Sequence, residues 1–80
     1  IIMFQGTDDK VVPPNQTQMV ADALRGTSVP FSAVFFEGEG HGFRQAANIV
    51  RCLEAELSFY AQVLGFPHPE GIEPVTVERP

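Results

Sequence analysis

The sequence predicts an α/β fold, a strand–helix–strand–helix unit with parallel strands. Three observations carry this. Two short apolar runs, "IIMFQ" (1–5) and "FSAVFFE" (31–37), lack the alternation of half-exposed strands and suit strands buried on both faces. A helical pattern lies between them, as a crossover joining parallel strands requires. A longer helical pattern follows the second run.

After the first strand, "GTDDKVVPP" reads as a loop, because Pro13 and Pro14 cannot extend a ladder and restrict their predecessors. Asn15 is the expected helix cap. From Gln16 to about Arg25, Met19, Val20, Ala23 and Leu24 share one helical face, and Gly26 marks the stop. The second strand, rich in aromatic and branched residues, leads into the glycine-rich loop "EGEGHGF" (37–43). A long helix is expected from Arg44 to about Leu64. Its apolar stripe is Ala46, Ile49, Val50, Leu53, Leu57, Tyr60, Ala61 and Leu64, with Arg51, Glu54, Ser58 and Gln62 facing away and Gly65 ending it. Met19, Phe35, Phe36 and Phe59 are core by default. Residues 66–80, with four of the seven prolines, read as an extended or partly disordered tail.

The 80 residues carry a net charge of −5 and five scattered basic residues, which argues against a nucleic-acid surface. No apolar stretch approaches the roughly 20 residues of a membrane span. One cysteine, Cys52, allows no internal disulfide and favours a reducing, cytoplasmic compartment. Opening in mid-strand on "IIMF", without an initiator Met or a signal peptide, the sequence reads as a piece of a longer protein. Two strands buried on both faces also need neighbours that these residues do not supply. The expectation is a homo-oligomer, or association with the rest of a parent domain.

In an open α/β sheet, ligands gather beyond the carboxyl ends of the strands. Asp8 and Asp9 stand past the end of the first strand and His41 past the end of the second. Parallel neighbours lie about 4.8 Å apart, so these loops can meet. A carboxylate on histidine Nδ1 fixes the tautomer and leaves Nε2 as a base. Gly38, Gly40 and Gly42 would let the histidine loop turn sharply. Separately, an aspartate pair is usual turn chemistry and a loop histidine is usually solvated. Together, in acid-then-histidine order, they fit the C-terminal βαβα piece of an α/β-hydrolase, whose chain order is nucleophile, acid, histidine. A metal site from Asp8, Asp9, Glu39 and His41 matches no usual spacing. Cys52 reads as a structural thiol and His68 as a solvated tail residue.

"QGTDDKVVPPNQTQMVADAL" followed by "FEGEGHGFR" resembles the C-terminal end of the prolyl oligopeptidase family of serine peptidases. Gly6, Asp9, Val12 and Pro13 match its G-x-x-D-x-x-V-P pattern; Gly38, His41, Gly42 and Phe43 match its G-x-x-H-G-F-like loop. The resemblance covers roughly residues 1–65, the expected C-terminal part of a peptidase domain, with 66–80 as a Pro-rich tail outside it. It implies Asp9 as triad acid and His41 as general base, with Glu39 and Phe43 shaping the loop. It implies a peptide or ester substrate in the full-length parent, and no cofactor. The G-x-S-x-G elbow is absent, and Ser28, Ser32 and Ser58 lack its context, so the 80 residues alone are expected to be inactive. A dienelactone-hydrolase-like esterase or lipase fragment would use the same pair. A non-catalytic oligomerisation module would use neither.

Overall fold

The computed structural model describes residues 1–79; the last residue of the expected 66–80 tail lies outside them. Strand β1 (Ile2–Gly6), helix α1 (Pro14–Arg25), strand β2 (Ser32–Phe36) and helix α2 (Ala46–Leu64) follow in the expected order. The strands pair in parallel, Ile2 opposite Ser32 and Gly6 opposite Phe36, so both chains leave the sheet at one edge. Strand side chains alternate between faces. On one face Ile2, Phe4 and Val34 pack with Ala55 and Phe59 of α2. On the other, Gln5 of β1 bonds Thr17 of α1.

The first helix starts earlier than Asn15 would place it. Pro13 takes the N-cap position with φ −62° and Pro14 the first helical one. A proline there has its φ already set, and the N–H it lacks would have been unpaired anyway. The apolar face read from the sequence is largely uncovered: Met19 and Val20 are exposed, and Ala21 is the buried residue of α1. Phe35 is also partly exposed, whereas Phe36 and Phe59 are core.

The second helix corrects the expected position of Ser58. Of the apolar stripe, Ile49, Val50, Leu53, Leu57, Tyr60 and Leu64 are exposed, Leu53 at 65%, and Ala61 is buried. The buried residues are Ala55, Ser58, Phe59 and Ala61. Ser58, expected to face away, is fully buried. The cause is what lies beyond Gly65, which closes α2 at φ +80° with its N–H on the Ala61 carbonyl. The chain then turns back as an ordered strap over the small-residue face, and Val75 and Val77 join the core of Ala55 and Phe59. Ala55, Ser58 and Ala61 let it approach closely; the bulkier stripe would not.

Polar bonds fix the strap. Ser58 Oγ accepts from the Val75 N–H at 3.0 Å and lies 2.7 Å from His68 Nε2. Gln62 donates to the Val75 carbonyl at 2.8 Å. Phe31 and Glu78 form an antiparallel bridge with N···O distances of 2.9 and 2.7 Å, which pins the strap beside the start of β2. Arg25 holds Glu78 through two bonds of 2.9 and 3.0 Å and lies over the Phe31 ring. The strap is thus extended, as expected, but not disordered, and His68 is a half-buried anchor rather than a solvated residue.

Ser58→Ala leaves the buried Val75 amide without its acceptor. The expected cost is about 1–3 kcal/mol, the penalty of an unpaired buried donor. Denaturant unfolding measures it, with faster hydrogen exchange at Val75; an unchanged midpoint would show that the strap does not depend on Ser58.

Candidate active site

The site lies at the edge where both strands end. The loop after β1 carries Asp9 and the loop after β2 carries His41. Their backbones are stitched together: Thr7 N–H donates to the Phe36 carbonyl at 3.0 Å and Asp8 N–H to the Glu39 carbonyl at 2.9 Å. Gly6 makes this approach possible, since a Cβ there would stand 2.1 Å from the Glu39 carbonyl oxygen. Gly38 turns the second loop at φ +79° and donates to Thr7 Oγ1 at 2.8 Å. Gly40 and Gly42 have open space and no positive φ, so the expected need for glycine holds at Gly38 alone of those three.

Asp9 and His41 meet. The Asp9 Oδ2 lies 3.0 Å from His41 Nδ1, while Oδ1 accepts from the Val11 and Val12 amides at 2.9 and 2.8 Å. The Asp9 side chain is 7% accessible and that of His41 59%. Burial opposes ionisation of Asp9. The Val12 amide, the His41 ring and the Val11 amide outweigh it and hold the carboxyl below its ordinary value. An ionised carboxylate can only accept, so the proton between the two groups sits on Nδ1. In the neutral ring Nε2 is then the acceptor nitrogen, and the ring faces solvent. Asp8, the neighbouring acid, is exposed and makes no side-chain bond to His41 among the described residues.

Glu39 is buried and shapes the histidine loop, as expected. Its carboxylate accepts from the Arg44 and Gln45 amides, each at 3.2 Å, and from Asn48 Nδ2 at 3.0 Å. The Gln45 amide is the N-cap donor of α2, where a negative charge is favourable; the helix begins at Ala46 rather than Arg44. The Asn48 bond, against the cost of burial and with both amides, lowers the Glu39 pKa. Phe43 packs edge-on against Phe36 with ring centres 5.0 Å apart, fixing the loop beyond His41. A recess of about 510 Å³ opens beside the ring, lined by residues 38–42 with Arg44 and Gln45.

The sequence reading missed Gln5. Its buried amide donates to the Gly6 and Val12 carbonyls, each at 2.9 Å, and accepts from the Thr17 hydroxyl. A lone amide at a strand end gives little sequence signal beyond its place before Gly6. No three His, Cys, Asp or Glu side chains gather into a metal-binding group among the described residues. Burial pushes the Cys52 thiol up, which disfavours a reactive thiolate. Ser58 does touch a histidine, His68, but its oxygen is enclosed and takes the Val75 and Gln62 donors.

A parallel strand pair with its helices, presenting an acid and a histidine past successive strand ends, defines a piece of an α/β-hydrolase fold. The prolyl oligopeptidase family profile matches residues 1–67, and the chain belongs to that family. It is similar to a puromycin-hydrolyzing peptidase from Mycobacterium tuberculosis, 50% identical over 95% of this chain and 11% of that one, at a TM-score of 0.81. It is likewise similar to a puromycin hydrolase, 44% identical over 98% of this chain and 12% of that one, at a TM-score of 0.85. A mutant of puromycin hydrolase complexed with PGG matches over the same shares, at 44% identity and a TM-score of 0.84. The chain thus spans about a ninth of the length of these proteins. No curated protein matches.

Two expectations follow. Gly6→Ala forces the loops apart, so the protein loses stability and the Asp9–His41 bond together; histidine NMR and thermal unfolding report both, and an intact pair in Gly6→Ala would contradict the close-approach argument. Second, Asp9 and Glu39 have folded-state pKa values below their unfolded ones. Their stabilisation is therefore complete above the ordinary carboxylate range and is lost as pH falls through the lowered values. Urea midpoints that decline below about pH 4 in the native protein, and less steeply in Glu39→Gln, are expected; identical declines would contradict the Glu39 assignment.

Proposed function

We propose that this chain is the C-terminal part of a serine peptidase catalytic domain and supplies the acid and the base of its Ser-Asp-His triad. The observation that carries this is the 3.0 Å contact between Asp9 Oδ2 and His41 Nδ1 at the carboxyl edge of a parallel sheet. A serine from a segment preceding this chain attacks a peptide carbonyl. His41 Nε2 takes the serine proton and returns it to the leaving nitrogen, and water then releases the acyl group by the same proton path. Asp9 keeps the proton on Nδ1 and stabilises the imidazolium. Puromycin and short peptides are the first substrates to test, given the names of the similar structures. The unpaired Cys52 suits a reducing, cytoplasmic setting. No helix among the described residues is long and apolar enough to cross a membrane.

The exposed stripe of α2, with Leu53 and Leu64 at its most open points, seats against the rest of the parent domain or a second copy of the chain.

In the full-length enzyme, Asp9→Asn lowers kcat by about 10⁴-fold, the scale of a triad acid lost to the wrong tautomer. His41→Ala lowers it at least as far, and Asp8→Asn stays near the native rate. Turnover of puromycin or a peptide amide measures this; normal turnover by Asp9→Asn would remove the serine-hydrolase reading and favour a non-catalytic module. Turnover of esters alone would favour the esterase. The 80 residues alone hydrolyse neither substrate type and take no fluorophosphonate label, since they carry no positioned nucleophile; labelling of Ser28 would contradict the assignment.

A further inference from the structure

Gln5 is a further buried side chain at the catalytic edge, and neither the family match nor the triad chemistry gives it a role. It stands one residue before Gly6 and is 3% accessible. Its three bonds join three segments: the end of β1 through the Gly6 carbonyl, the acid loop through the Val12 carbonyl, and α1 through the Thr17 hydroxyl. The orientation of the amide is forced. Two carbonyl oxygens can only accept, so Nε2 must face them, and Oε1 must face the hydroxyl. A buried amide so fully satisfied has one orientation available.

Val12 is held from both sides. Its carbonyl accepts from Gln5, and its N–H donates to Asp9 Oδ1 at 2.8 Å. That amide bond, with the one from Val11, fixes the Asp9 carboxylate so that Oδ2 points at His41. The near end of the acid loop is tied to the strand ends by the Thr7, Asp8 and Asp9 amides; Gln5 holds its far end, at the Val12 carbonyl. We propose that Gln5, backed by Thr17, is a positioning residue of the catalytic site: it sets the register of the acid loop and so aims Asp9 at the His41 ring. This rests on the triad reading above. Gln5 touches no reacting atom and acts through Asp9.

The test uses the full-length enzyme with puromycin or a peptide amide. Gln5→Met keeps length and apolar volume but removes all three bonds. It is expected to lower kcat by about 10- to 100-fold, the scale of a misplaced catalytic group, with KM changed by less than about threefold. In the Asp9→Asn background the same substitution is expected to add less than about threefold, because its route to the chemistry is already cut. Thr17→Val, which frees the amide at one end, gives a smaller loss in the same direction, and Thr17→Ser restores the rate. Native kcat in folded Gln5→Met overturns the proposal, and so does a full multiplicative loss on top of Asp9→Asn. If Gln5→Met does not fold, Thr17→Val decides, and an unchanged kcat there overturns it. A fully active Asp9→Asn instead defeats the triad reading; a crippled Asp9→Asn beside a native Gln5→Met defeats the positioning role alone.

Discussion

The site depends on one close approach, the backbone of Glu39 against Gly6. The Glu39 carbonyl takes the Asp8 N–H at 2.9 Å, in space that any side chain at position 6 would occupy. This ties the two loops into one unit, with Asp9 in one half and His41 in the other. The same residue also starts α2, because the Glu39 carboxylate holds the Arg44 and Gln45 amides. Sheet edge, acid loop, histidine loop and helix start are therefore bonded to one another. The exposed imidazole inherits a fixed Nδ1 partner from a buried one, so precision at the surface is set by packing beneath it.

Parallel neighbours that end at one edge bring their loops together at almost no cost in chain length. The acid then needs a buried, amide-lined seat to remain charged against the cost of burial, and the Val11 and Val12 amides supply it. Asp9 is enclosed and the His41 ring is open, as the proposed roles of acid and base require.

Much of this was legible in the sequence, and the reasons differ by element. The strand order followed from two apolar runs without alternation. The choice of Asp9 over Asp8 came from the family resemblance, through its G-x-x-D-x-x-V-P pattern; in the structure Asp9 reaches the His41 ring. Helix α2 misled because it carries apolar residues on more than one face. Its bulky residues looked like the core face, yet Ala55, Ser58 and Ala61 are the ones small enough to admit the strap. The strap itself was illegible because proline-rich extended chain has no period, and its anchors, Ser58–Val75 and Arg25–Glu78, are 17 and 53 residues apart in sequence. Gln5 was missed because a polar residue ending an apolar run looks like a strand end, not a three-way bridge.

The most direct measurement of the central claim is the protonation state of His41, read by proton–nitrogen NMR of the histidine-labelled full-length enzyme. A proton on Nδ1 facing Asp9 gives a downfield resonance that disappears in Asp9→Asn and persists in Asp8→Asn. A ring protonated on Nε2 alone, or a resonance that survives the loss of Asp9, would contradict it.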